Sequence, residues 1–184
     1  TSTDGTHAYS RDGWIIGSTG ANVTWAQTYS SMLSITGQAG VTDAFLKQRI
    51  ESLVCAGALL EQDYITFQAF VNNFSGASLT PTLAVNSPNA ADNYASTNII
   101  LVATNLQTIP NNGSAVISYT FKLPVLSTYY NGLEFILDFG NSLNGSGNHV
   151  IVSRMDVSRT PSWTAVGLQS FPPEAQIRSI DGEL

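Results

Sequence analysis

From Ile117 to Leu123 every second residue is large and apolar: Ile117, Tyr119, Phe121 and Leu123 alternate with Ser118, Thr120 and Lys122. Successive side chains of a strand point to opposite faces, so this pattern buries one face of an antiparallel sheet and leaves the other wet. Leu133, Phe135, Leu137 and Phe139 repeat it against Glu134 and Asp138, with Ile136 as the exception. Alternating or β-branched runs of strand length recur at 14–17, 22–29, 32–36, 45–52, 64–71, 82–86, 98–108, 115–123, 133–139 and 150–157, separated by Gly, Asn, Ser and Pro clusters. That makes about ten strands. The stretch 51–61 is the only helix-like one, and Gly57 and its short length make it a turn or brief helix between strands. Strands at this spacing without helical crossovers predict an all-β fold, an antiparallel two-sheet β-sandwich of jelly-roll type.

The chain of 184 residues is long enough for one buried core. We expect a sandwich domain over 1–159 and an irregular tail over 160–184, where Pro161, Pro172 and Pro173 interrupt any strand and Trp163 and Phe171 offer isolated anchors. The tail is expected to pack on the sandwich or on a neighbouring subunit and to continue into a longer parent protein. Cys55, the single cysteine, reads as a small buried hydrophobe.

Charged residues make up 11% of the chain, against a usual share of about 25%. Its polarity comes instead from Ser, Thr, Asn, Gln and Gly, a mixture associated with extracellular and viral β proteins. The seven basic residues, Arg11, Lys47, Arg49, Lys122, Arg154, Arg159 and Arg178, are scattered in a chain of net charge −6. They form no stripe to neutralise phosphates, which argues against a nucleic-acid partner. No apolar run approaches the roughly 20 residues of a bilayer span, and the N-terminus lacks the regions of a signal peptide, so membrane insertion is not expected.

Catalytic groups are sparse. His7 sits in a Gly- and Thr-rich leader and His149 follows the turn 144–148, neither in a nucleophile setting, so no catalytic residue is assigned. Among the acids, Glu134 and Asp138 share a strand's polar face and read as solvated. Two distant histidines and one cysteine support no transition-metal site and no cofactor. Calcium has one weak candidate loop, 86–93, with Asp92 as its carboxylate. Arg49 and Glu51, two apart on one strand face, are expected to form a structural ion pair. Asn22, Asn73, Asn112 and Asn144 stand in Asn-x-Ser/Thr sequons, which mark surface loops in a eukaryotic secreted chain.

Binding suits this composition better than catalysis. A glycan offers apolar C–H faces and a rim of hydroxyls, so its site needs an aromatic platform beside amides and hydroxyls. Tyr94, Tyr129, Tyr130 and Trp163 are the candidate carbohydrate-binding platforms, each with capping of the sandwich or an intersubunit contact as the alternative role. Trp14 and Trp25 stand in strands and read as core.

The order of several motifs adds a resemblance. Tyr9-Ser10-Arg11-Asp12-Gly13-Trp14, Ala21-Asn22-Val23-Thr24, Leu46-Lys47-Gln48-Arg49-Ile50-Glu51-Ser52 and Tyr64-Ile65-Thr66-Phe67-Gln68-Ala69 follow one another. So do Tyr119-Thr120-Phe121-Lys122-Leu123-Pro124 and Ile151-Val152-Ser153-Arg154-Met155-Asp156-Val157. This arrangement, running the length of the chain, resembles a β-sandwich domain of bacteriophage tail fibres, tailspikes and related prophage proteins. The resemblance implies a non-enzymatic receptor-binding domain, on the virion or extracellular, that binds host cell-surface carbohydrate as a homotrimer. A trimerisation or fibre-tip module without ligand, and an accessory carbohydrate-binding module of a polysaccharide-degrading enzyme, are the alternatives.

Overall fold

The computed structural model of the chain describes residues 8–9, 14–29, 32–58, 63–125 and 127–160. Among them are β1 (Ala8–Tyr9), β2 (Ile15–Thr19), β3 (Thr24–Tyr29), β4 (Met32–Thr36), β5 (Asp43–Glu51), β6 (Tyr64–Phe74), β7 (Thr82–Pro88), β8 (Thr97–Asn105), β9 (Ser114–Lys122), β10 (Gly132–Asp138) and β11 (His149–Thr160). They form a two-sheet β-sandwich in which the neighbouring strands pair antiparallel. One sheet has six strands in the order β1-β2-β5-β10-β7-β8, the other five in the order β3-β4-β11-β6-β9. The predicted fold class holds. One short helix, α1 (Ser52–Ala58), fills the place of the brief helix expected after β5, and 3-10 turns at Ser127–Asn131 and Gly140–Leu143 flank β10.

Alternation is what closes the sandwich. Leu46 and Ile50 of β5, Leu83 and Val85 of β7, and Leu133, Phe135 and Leu137 of β10 turn inward from the six-stranded sheet. Ile35, Ile65, Phe67, Val71, Ile117, Val150 and Val152 meet them from the five-stranded one. Two aromatic pairs cross the gap: Phe121 on Phe135, with ring centroids 6.2 Å apart, and Trp14 edge-on to Phe67 at 6.3 Å. Such pairs add about 0.5–1.5 kcal/mol beyond burial. Trp14 and Cys55 are core residues as expected, and Trp25 is half-buried against the core.

Strand β6 runs three residues past its expected end because a buried polar residue is fully satisfied. Asn73 faces inward with no exposed surface. Its Nδ2 donates to the carbonyls of Ala77 (2.8 Å), Ile109 (3.0 Å) and Pro110 (3.2 Å), and its Oδ1 accepts from the Ser75 amide (3.0 Å). Those bonds fasten the turn after β6 to the approach to β9. The same burial means that the Asn73 sequon is not a surface loop.

Removing this amide strands several buried carbonyls, each costing about 1–3 kcal/mol if left unpaired. Asn73→Ala is therefore expected to lower unfolding free energy in urea by about 2–4 kcal/mol. Asn72→Ala, at the neighbouring position on the opposite face, is expected to stay within about 0.5 kcal/mol.

Candidate functional site

Because Ile65, Phe67, Ala69 and Val71 are committed to the core, the other parity of β6 points away from it. That outward set is Tyr64, Thr66, Gln68, Phe70, Asn72 and Phe74, three aromatic rings and three hydrogen-bonding side chains along about 33 Å of strand. The register aligns Phe74 with His149, Asn72 with Ile151, Phe70 with Ser153, Gln68 with Asp156 and Thr66 with Ser158 on β11. Ser118, Thr120 and Lys122 extend the same rows onto β9. The outer face of the five-stranded sheet is thus rich in aromatic, amide and hydroxyl groups.

A cavity of about 310 Å³ opens on this face, lined by Met32, Phe70, Asn72, Ser153 and Arg154, at the small end of the usual ligand-pocket range. At one end of the face the His149 imidazole stacks on Phe74, with centroids 4.8 Å apart and planes 20° from parallel. At the other, the Lys122 ammonium stands 5.8 Å from the centre of the Tyr64 ring. Between them Gln68 is only 6% exposed and its Oε1 accepts no hydrogen bond. The Ser158 hydroxyl, fully buried in the adjoining row, has no partner either.

The face of the six-stranded sheet is occupied differently. Arg49 pairs across to Glu134 on β10, Nε to Oε1 at 2.9 Å, a partner on the neighbouring strand. Directly opposed residues on paired strands sit within reach of such a pair. Glu134 is 4% exposed, so it is a buried ion-pair acceptor and not the solvated residue expected. The Arg49 guanidinium also lies 4.6 Å from the centre of the Tyr94 ring. The Tyr94 hydroxyl donates to the Ile50 carbonyl at 2.8 Å, an approach possible because Gly132, at φ +120°, carries no Cβ there. Burial raises the Tyr94 phenol's pKa and pushes the Cys55 thiol up to about 12.

The loop aromatics therefore act as caps. Tyr129 is fully buried, and so has no ring face to offer a sugar; Tyr130, half-buried, packs on it at 4.3 Å between centroids. Trp163 lies outside the described residues. Asp92 uses both carboxylate oxygens on Ser52 at the start of α1, accepting from its amide and its hydroxyl at 2.7 Å each. Among the described residues no three His, Cys, Asp or Glu side chains come together as a metal-binding group. Tyr64, Phe70 and Phe74 were missed in favour of loop aromatics, although their shared parity with Thr66, Gln68 and Asn72 was the available signal.

No protein-family model matches this sequence, and no curated protein does. Solved structures share its fold. The enzymatically active domain of tailspike protein 4 of bacteriophage CBA120 superposes with a TM-score of 0.56 at 12% identity, covering 83% of this chain and 20% of that one. A CBM4 carbohydrate-binding module gives 0.55 at 16% identity, over 83% of this chain and 90% of that one. The CBM22-2 xylan-binding domain from Paenibacillus barcinonensis gives 0.52 at 10% identity, over 83% and 94%. At such identities the likeness is one of fold: this chain is a β-sandwich of the kind found in carbohydrate-binding modules and in a phage tailspike. It spans about a fifth of the tailspike chain.

One carboxyl outside the candidate face is strongly perturbed. Burial, then a hydrogen bond and charge repulsion from Asp138, raise Asp43 from 3.8 to about 6. A raised carboxyl binds its proton more tightly in the folded state, so its stabilisation is full below about pH 4 and is lost as pH rises through about 6. Asp43 is partly solvent-exposed, so screening holds the effect to about 1 kcal/mol. Asp43→Asn is expected to remove that decline and to be the more stable protein at neutral pH, read by denaturant unfolding across this range.

Proposed function

We propose that this chain is a non-catalytic carbohydrate-binding domain whose outer five-stranded face receives a glycan. The observation that carries this reading is the half-buried Phe70 ring on the wall of a cavity that the Asn72 amide and the Ser153 hydroxyl also line. A sugar fits such a wall, with a C–H face to lie on the ring and hydroxyls to hydrogen-bond the amide and the hydroxyl beside it. Two of the similar folds, a CBM4 module and a CBM22 domain, belong to proteins named for binding carbohydrate, which supports the reading. The non-catalytic part rests on the carboxylates. Asp43 and Asp138 share a hydrogen bond, which is closer than the roughly 5 Å or more that separates glycosidase pairs, and Glu134 is tied to Arg49.

The finer reading is recognition of host cell-surface polysaccharide by a phage tail fibre or tailspike, on the virion, as a homotrimer. The order of the sequence motifs and the tailspike among the similar folds support it. Self-association is supported by β8, which pairs with β7 at one edge of its sheet and exposes Ile99 (66%) and Val102 (69%). Exposed apolar side chains on an edge strand are a ready pairing surface.

Binding to host polysaccharide and to soluble oligosaccharides, followed calorimetrically, tests the first claim. Phe70→Ala and Asn72→Ala are expected to weaken binding about tenfold or more with the fold intact by circular dichroism, whereas unaltered affinity in both would overturn the face assignment. For the second claim, sedimentation is expected to report a trimer that Ile99→Lys with Val102→Lys dissociates; a monomeric wild-type chain would reject it.

A further inference from the structure

The strands β11 and β6 fall out of step between Ser153 and Asp156, where β11 takes three steps to the two steps of β6. One extra residue is accommodated, and the backbone at Arg154 adopts φ +52°. In this kind of bulge the left-handed conformation is ordinarily given to glycine, since a side chain there is strained. An arginine holds the position instead, exposed, on the wall of the cavity. Among the described residues its guanidinium has no partner: the ion pairs found there are Arg49 with Glu134 and Arg159 with Asp63, and no hydrogen bond or ring contact from those residues engages Arg154. Strain retained at a ligand cavity by a residue that makes no bond within the fold points to a bond made outside it.

The surroundings define that bond. Asp156 is the one carboxylate on this face among the described residues, in the next row, while Lys122 and His149 stand at opposite ends. The chain as a whole carries −6, so a long-range field does not attract anions, and selection must be local. Arginine's planar fork meets a carboxylate through two parallel hydrogen bonds. Phe70 beside it offers the ring on which the rest of a pyranose rests, and Asn72 and Ser153 offer hydrogen bonds to its hydroxyls.

We propose that the cavity takes an acidic sugar, a uronate or similar carboxylate-bearing residue of an anionic polysaccharide, with Arg154 as the carboxylate-binding residue. This inference rests on the outer face being the glycan site and adds the class of glycan.

The test sets acidic probes (alginate, polygalacturonate and hyaluronan oligosaccharides) against neutral ones (xylan, glucan and mannan oligosaccharides), titrated into the full chain. Wild type is expected to bind an acidic probe, more weakly after esterification of its carboxylates and as salt rises from about 50 to about 500 mM. Arg154→Gln is expected to lose about tenfold or more in that affinity, and Arg154→Lys to recover little of it. Arg154→Gly separates the site from the fold: relieved of its strained side chain, it is expected to unfold at higher temperature and still to lose the acidic probe. Binding confined to neutral probes, or equal acidic affinity in Arg154→Gln, overturns the acidic specificity while Phe70→Ala still reports on the face. Binding of no probe, or binding indifferent to Phe70→Ala, overturns the face reading and this inference with it.

Discussion

The bulge in β11 is the constraint on which the rest of the five-stranded sheet depends. Val150, Val152 and Val157 are all buried, yet Val152 and Val157 are five residues apart, and an unbroken strand sends residues at an odd spacing to opposite faces. One inserted residue restores Val157 to the core. Pairing of β11 with β4 ends at Ser153, opposite Met32, at the bulge, while pairing with β6 continues to Thr160. The sheet therefore loses a strand's width on one side just beyond Ser153, and Met32, Ser153 and Arg154 line the cavity at that margin. Core packing and the cavity are two consequences of one parity error in the sequence.

The two outer faces have settled their polar groups in opposite ways. On the six-stranded side Arg49, Glu134 and Tyr94 satisfy one another, and the Lys47 ammonium stands 4.8 Å from the centre of the Phe45 ring. Asp43, on the same outward parity of β5, stands against Asp138 at the end of that face. The five-stranded side retains, among the described residues, a buried amide oxygen at Gln68 and a buried hydroxyl at Ser158 without partners, and an exposed arginine that bonds to none of those residues.

How much of this was legible in the sequence follows from the reach of each signal. Strand alternation is local, so the sandwich, the strand set and the core roles of Trp14 and Cys55 could be read directly. β1 was not foreseen, since Ala8–Tyr9 is too short to show a period. Glu51 is near Arg49 in sequence and so is visible to a local reading; Glu134 is opposed to Arg49 only through the β5–β10 register, which no local pattern encodes. The loop tyrosines looked exposed because they neighbour polar residues, but Tyr129 fills the end of the core beneath α1 and β10. For Tyr64, Phe70 and Phe74 the shared parity is visible in the sequence, but which parity faces outward is set by the strands that pack across the core.

Arg154 shows why strain is informative where composition is not. Glycine at this φ would remove the steric cost, and arginine adds nothing inside the fold to offset it: no ion pair, no ring contact, no hydrogen bond to the described residues. Stability alone thus disfavours the residue that is present. A side chain that costs stability and does no internal work is placed by what it meets in the cavity, and its neighbours there are a ring, an amide and a hydroxyl. Those are the groups that position a sugar, and the guanidinium beside them decides which sugars are held most tightly.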